Sequence, residues 1–217
     1  MPILIHQHLE PEGELGIWQI TETEAWFRDR LYLYPPELRQ LGGIKGRRRV
    51  EWLGVRHLVH HMSGREQRGA FVKDEYGKPH LEHSLWQISI SHSGELAAAI
   101  AAPTSVGIDI QRLVGKIGRI AHRFMRPEEM ECLSQYERIE HIHLFWGAKE
   151  ALYKAYGRRQ LHFQDNILIQ PFELDWSKGV FYGEVIKDDH YSRYELRYRM
   201  IGPFVLVYAI EQTNAQN

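Results

Sequence analysis

The sequence predicts an α+β fold, and three features carry the prediction. Period-two alternation in stretches such as Tyr194 to Met200 and Phe204 to Ile210 marks strands of a mostly antiparallel sheet. Apolar residues at helical spacing mark helices, above all in Arg47 to Met62 and His141 to Tyr156, and both halves of the chain hold helices together with short strands. Of 217 residues, 43% are hydrophobic, 12% aromatic and 25% charged, the composition of a globular protein and not of a disordered, collagenous or coiled-coil chain.

In chain order, Pro2 to His6 and Gly16 to Ile20 read as short strands. Thr21 to Thr23 with Glu24 supply capping hydroxyls and a first-turn acid, so a helix starts there and runs until Pro35 and Pro36 break it. From Arg47 to Met62, the residues Val50, Leu53, Leu58 and Met62 share one apolar side, and Ser63 and Gly64 end the helix. Tyr76-Gly77-Lys78-Pro79 is a turn, Trp86 to Ser91 and the small-residue run Leu96 to Ala101 are strands, and Pro103-Thr104 is a connector. Val106 to Gln111 is a further strand. Helices are expected from Gly118 to Arg126, continuing after Pro127, and from His141 to Tyr156, which Gly157 stops. Strands fill the chain from Ile167 onward, before a polar tail, Thr213 to Asn217, that is expected to fray.

Charge and cysteine usage restrict the function. Lys plus Arg is 27 and Asp plus Glu is 28, a formal net charge of −1, which argues against a general nucleic-acid binder. Cys132 is the single cysteine and has no internal partner, so the expected compartment is reducing and cytoplasmic. No apolar run reaches the roughly 18–20 residues that cross a bilayer, and the N-terminus lacks the layout of a secretory signal, so no membrane association is expected.

Three constellations could carry chemistry. In Val106 to Gln111, strand alternation turns Gly107, Asp109 and Gln111 to one face, where a carboxylate and an amide oxygen suit a hard cation such as Mg²⁺. In Trp146 to Lys154, Glu150 and Lys154 share a helical face, so a cation-binding carboxylate can stand beside a phosphate-binding ammonium. Ser89 to Gly94 ends a strand with hydroxyls and His92, groups that bind phosphate oxygens, and the Gly77-Lys78-Pro79 turn offers a lysine upstream. Taken singly, each has an ordinary structural explanation: a solvated strand acid, a helix-surface ion pair, a polar strand end.

In order and spacing, these elements resemble the 4′-phosphopantetheinyl transferase superfamily, in particular its surfactin-type, pseudo-dimeric branch. That branch has a Gly-Lys/Arg-Pro turn, a Ser-His strand end, a Gly-x-Asp-x-Glu strand and a Trp-x-x-Lys-Glu-x-x-x-Lys helix. The matching residues are Gly77 to Pro79, Ser91-His92, Gly107 to Gln111 and Trp146 to Lys154. Gln111 departs from the pattern, standing where the family has a second metal carboxylate. The resemblance implies two similar α/β subdomains related by a pseudo-twofold, 1–103 and 104–217, each with a small mostly antiparallel sheet and packed helices, forming one functional unit with its site at the junction. It also implies a monomer.

The activity so implied is transfer of the phosphopantetheine arm of coenzyme A to a serine of an apo acyl or peptidyl carrier protein, with Mg²⁺ as cofactor and release of 3′,5′-adenosine bisphosphate. Asp109, Gln111 and Glu150 would hold the metal, Lys154 would stabilise pyrophosphate charge, and Lys149 would assist. Glu129 would be the general base, with Glu128 one register away. Lys78, Ser91, His92, Arg49 and Arg56 would bind coenzyme A. The basic and apolar stretch from Arg112 to Arg126 is the expected docking segment for the carrier; an amphipathic helix with its apolar side in the core explains it equally well.

Two other readings remain open at this stage. Gln111 suggests a coenzyme A-binding regulator without catalysis. Thirteen histidines, with His57, His60 and His61 on one helix, suggest a transition-metal binder.

Overall fold

Gly16 and Gly107 mark the places where a long helix lies directly on a sheet. In the computed structural model, which describes residues 3–212, a Cβ on Gly16 would stand 2.5 Å from Met62 Sδ, and one on Gly107 would stand 1.8 Å from Ala151 O. At Gly107 the neighbour is backbone, so only a residue without a side chain permits the approach, whereas at Gly16 a methyl would displace the ends of Met62 and Leu58. The chain divides between Pro103 and Thr104 into two compact units, and each is an antiparallel sheet carrying such a helix. The architecture is α+β. Pro2, and the polar tail from Thr213, lie outside the described residues.

The first unit contains β1 (Ile3–His8), β2 (Glu14–Gln19), α1 (Glu24–Arg28), α2 (Pro35–Gly43), α3 (Arg48–Ser63), β3 (Phe71–Lys73), β4 (Pro79–Leu81), β5 (Gln87–Ser93) and β6 (Leu96–Ala102). Its sheet runs β1-β2-β6-β5-β4-β3. Leu53 and Leu58 of α3 are fully buried in one cluster with Trp18, Ala97, Ala99 and Ile88 of the sheet and Phe27 of α1. Each such leucine contributes roughly 1.5–3 kcal/mol relative to exposure. Thr23 Oγ1 accepts from Trp26 N at 3.2 Å and so caps α1, which ends at Arg28 instead of running on to the prolines. Pro35 and Pro36 begin α2: at the first positions of a helix the missing N–H has no intrahelical partner to lose. Gly64, at φ 60, ends α3 in the left-handed conformation.

The second unit contains β7 (Val106–Arg112), 3-10 turns at Gly115–Arg119 and Ala121–Arg123, α4 (Pro127–Glu131), α5 (Arg138–Tyr156), β8 (Ile167–Ile169), β9 (Lys178–Lys187), β10 (His190–Ile201) and β11 (Phe204–Glu211). The expected helix over Gly118 to Arg126 is thus absent as such. Ile120 at φ −112 and ψ 0 interrupts it, and Arg126, which precedes Pro127, is extended. The sheet order is β7-β11-β10-β9-β8. Leu144, Phe145, Ala148, Ala151, Leu152 and Ala155 of α5 are buried in one cluster with Phe181, Val185, Leu196, Val205 and Val207 of the sheet. Gly157, at φ 72, ends α5, its N–H donating to Tyr153 O at 3.0 Å.

Candidate functional site

Alternation along β7 decides which groups meet α5. Gly107, Asp109 and Gln111 all turn to the helix: Gly107 lies under Ala151, Asp109 Oδ1 is 2.8 Å from Lys154 Nζ, and Gln111 Oε1 is 2.9 Å from His143 Nδ1. Four residues of strand advance about 13 Å and eight residues of helix about 12 Å, so a pair of groups repeats along both elements with little drift.

Lys154 Nζ also donates to Ile108 O at 2.9 Å, so one ammonium holds both the carboxylate of β7 and its backbone. Glu150 lies one turn earlier on the same side of α5. Burial raises its pKa above the ordinary carboxylate value; Lys154 opposes that shift and the charge of Asp109 adds to it. Two carboxylates therefore share one ammonium in a half-buried place, a donor set that suits a hard divalent cation completed by water and substrate phosphates. Among the described residues no group of three or more His, Cys, Asp and Glu could hold a metal ion. Gln111 does not extend the carboxylate pair as arranged here, since its oxygen faces a ring N–H and its amide nitrogen donates to His143 O at 3.1 Å.

Lys149 and Glu129 are placed elsewhere. Lys149 is wholly buried: its Nζ lies 2.9 Å from Glu129 Oε2 and donates to Phe163 O and Ile167 O, each at 2.8 Å. Glu129 is 4% exposed and accepts from Ile169 N at 3.1 Å and from Arg126 N at 2.8 Å. These two residues, expected as helper and base, tie α5 to α4, β8 and the connecting loop. Burial lowers the pKa of Lys149 and the neighbouring Glu129 charge opposes it. Glu128 is exposed, with Arg126 Nε at 3.5 Å.

In the first unit, Arg56, expected to bind coenzyme A, lies in a buried group of charges. It is 4% exposed, its Nε donates to Glu37 Oε1 at 3.2 Å and its guanidinium lies 3.2 Å from the centre of the Trp52 ring. Arg68 completes this buried group by pairing with Glu37. Arg49 is likewise committed: it forks onto Glu24 with two contacts of 2.7 Å and donates to Leu41 O and Ile44 O at the end of α2.

His92 is exposed near the end of β5, and Lys78 lies half-buried in the turn before β4. His92 Nδ1 is 3.0 Å from Glu51 Oε2, and Arg47, which donates to Gly94 O at 3.4 Å, reaches the same Glu51 at 3.8 Å. Glu51 as the partner of His92 was not legible in sequence, because the two are far apart in the chain. Ser91 is 8% exposed and turns to the face of β5 opposite His92. Asp74 shapes the Lys78 turn, Oδ1 accepting from Tyr76 N at 3.0 Å and Lys78 N at 2.9 Å while Gly77 takes φ 88.

The histidines of α3 do not gather around a common ligand position. His57 packs edge-on to Trp18, Trp26 and Phe27, with ring centroids 4.7, 5.2 and 5.6 Å away, and its Nδ1 is buried without a hydrogen-bond partner among the described residues. No helix among the described residues is long and apolar enough to cross a membrane.

Similarity to known proteins covers up to half of the chain. The 4′-phosphopantetheinyl transferase gsp of Aneurinibacillus migulanus is 29% identical over 111 residues, covering 50% of this chain and 46% of its own. The 4′-phosphopantetheinyl transferase psf-1 of Bacillus pumilus is 29% identical over 109 residues, 48% of this chain and 47% of its own. A 4′-phosphopantetheinyl transferase of Bacillus subtilis is 29% identical over 93 residues, 41% and 42% respectively. The chain thus spans about half the length of the curated relatives it matches. Residues 105–208, from the start of β7 into β11 and with Asp109, Glu150 and Lys154 among them, match the family model of the 4′-phosphopantetheinyl transferase superfamily.

Proposed function

We propose that the protein transfers the 4′-phosphopantetheine group of coenzyme A to a serine hydroxyl of an apo acyl or peptidyl carrier protein. The observation that carries this reading is the convergence of Asp109, Glu150 and Lys154 within the segment that matches the superfamily. Phosphoryl transfer from a pyrophosphate demands charge neutralisation and alignment more than covalent chemistry, and these three groups supply both signs of charge on two rigid elements. The serine oxygen forms a bond to the β-phosphorus as the bond to the bridging oxygen breaks, the hydroxyl proton passes to solvent water, and 3′,5′-adenosine bisphosphate leaves.

In this reading Asp109 and Glu150 hold Mg²⁺, which when bound neutralises pyrophosphate oxygens. Lys154 keeps Asp109 turned toward α5 and adds positive charge to the same place. His92 and Lys78 bind phosphates of coenzyme A, on the strength of the family resemblance. Glu129 is reserved for Lys149 and is not assigned the serine proton. The two units are related copies of one sheet-and-helix plan, and the protein acts in the cytoplasm as a monomer.

The carrier docks on the segment after β7. Lys116 and Arg119 are exposed there, as are Val114 and Ile120, while Ile117, Phe124 and Met125 enter the core. Such a surface complements an acidic carrier with a small apolar patch.

Mass spectrometry of apo carrier proteins incubated with the protein, coenzyme A and Mg²⁺ tests the reading. A phosphopantetheine adduct on the carrier serine, dependent on all three components, is the expected result. Its absence across several acyl and peptidyl carriers would remove the proposal.

A further inference from the structure

Gln111 stands where the family resemblance expects a metal carboxylate, yet its whole amide is matched to another residue. Oε1 is 2.9 Å from His143 Nδ1, and Nε2 donates to His143 O at 3.1 Å. His143 is 1% exposed, and its Nε2 accepts from Val114 N at 2.9 Å, with Val114 O 3.1 Å away. A ring nitrogen that accepts carries no proton, so the proton sits on Nδ1 and is donated to Gln111 Oε1. Gly147 completes the fit: a Cβ there would stand 3.1 Å from Gln111 Nε2.

We infer that Gln111 and His143 form a clamp joining the end of β7 to α5 and to the turn at Val114, and that Gln111 is a positioning residue and not a cation ligand. An amide is the group this setting requires, because it must accept from a ring N–H and donate to a carbonyl at once. A carboxylate has no N–H, so glutamate at this place would set two acceptors about 3 Å apart in a half-buried place. Through Val114 the same clamp fixes the start of the 3-10 turns after β7, and Leu113 N donates to Pro203 O at 2.8 Å beside it. The cation site is then built on Asp109 and Glu150 alone, with the remaining positions left to water and phosphate oxygens.

The cation part rests on the transferase reading; the clamp does not. Mn²⁺ binding to the full chain, measured by electron paramagnetic resonance with the metal alone, separates ligand from clamp. Gln111→Ala and His143→Ala are expected to leave the Mn²⁺ dissociation constant within about twofold of wild type, whereas Asp109→Asn weakens it at least about tenfold; a ligand held by His143 would make His143→Ala cost about 10–100-fold. A tenfold loss in Gln111→Ala would overturn the assignment.

Thermal midpoints read the clamp independently of any metal. Both single variants should lower the midpoint, and the double variant should lose less than the sum, because the two residues lose one shared interaction. Additive losses would overturn the clamp. Gln111→Glu should also melt lower than wild type, while the isosteric Gln111→Met serves if Gln111→Ala does not fold. Should wild-type protein bind no Mn²⁺ at Asp109, the cation reading fails and the midpoints still decide on the clamp.

Discussion

Lys149 Nζ and Glu129 Oε2 lie 2.9 Å apart with both side chains buried, and between them they bind five segments of the second unit: α5, α4, β8 and the chain at Phe163 and Arg126. Removing one partner leaves the other as an uncompensated interior charge. Lys149→Met and Glu129→Gln are each expected to cost about 3–5 kcal/mol in urea unfolding. A Glu129→Gln protein of wild-type stability but low turnover would instead return this glutamate to catalysis.

Asp109→Ala and Glu150→Ala should each reduce carrier modification by at least about 10²-fold, the scale of losing one electrostatic contact in a preorganised site. Circular dichroism should remain that of the wild type. Turnover near wild type in either variant would detach these carboxylates from the reaction.

The first unit should lose stability in mild acid. Burial, then the charge of His60, pushes the pKa of His57 down to about 4, and burial also lowers that of His60. Between pH of about 6.5 and about 4, the unfolded chain takes up protons that the folded one refuses, so stability falls as the pH drops through that window. His57→Phe keeps an aromatic ring among Trp18, Trp26 and Phe27 and removes the titration. Melting curves at several pH values should show a shallower decline for this variant; identical slopes would place the acid sensitivity elsewhere.

Gly107→Ala and Gly147→Ala differ in what the new methyl meets. At Gly107 it would strike backbone, 1.8 Å from Ala151 O, whereas at Gly147 it would meet Val207 Cγ2 at 2.8 Å, a side chain that can yield. The first should cost about 3 kcal/mol or more and the second about 1–3 kcal/mol. Equal melting temperatures for the two would mean that α5 is not seated as described.

Replacing Lys116 and Arg119 together with Glu should raise KM for the carrier and weaken its salt dependence, with KM for coenzyme A little changed. Both residues are exposed, so the fold should tolerate the change. Unaltered carrier kinetics would move the docking surface away from this segment.

The face of β7 was legible in the sequence because strand periodicity is local: Gly107, Asp109 and Gln111 at every second position had to point one way. The roles of Lys149 and Glu150 were not, although they are adjacent. Successive helical residues diverge by about 100°, so Glu150 turns toward β7 while Lys149 turns inward to α4. The pairing of Arg56 with Glu37 was hidden for a similar reason, since nothing nearby in the chain announces Glu37 as its buried partner. Pro35 and Pro36 were read as helix breakers when they are helix starters; the same missing N–H explains both, and only the capping carboxylate of Glu37, which accepts from Tyr34 N at 3.2 Å, tells them apart.

Strand order also dictates when the acidic site can come into being during synthesis. β7 takes its ladder from β11, with Asp109 opposite Val207, although about a hundred residues are translated between them, a separation that makes the pairing slow and late. The hairpins of β9, β10 and β11 are local and can form as soon as they emerge, but β7 has to wait with its carboxylate strand unzipped until β11 arrives. A nascent or prematurely terminated chain lacking β11 would therefore carry Asp109 without the sheet position that aligns it with Lys154 of α5.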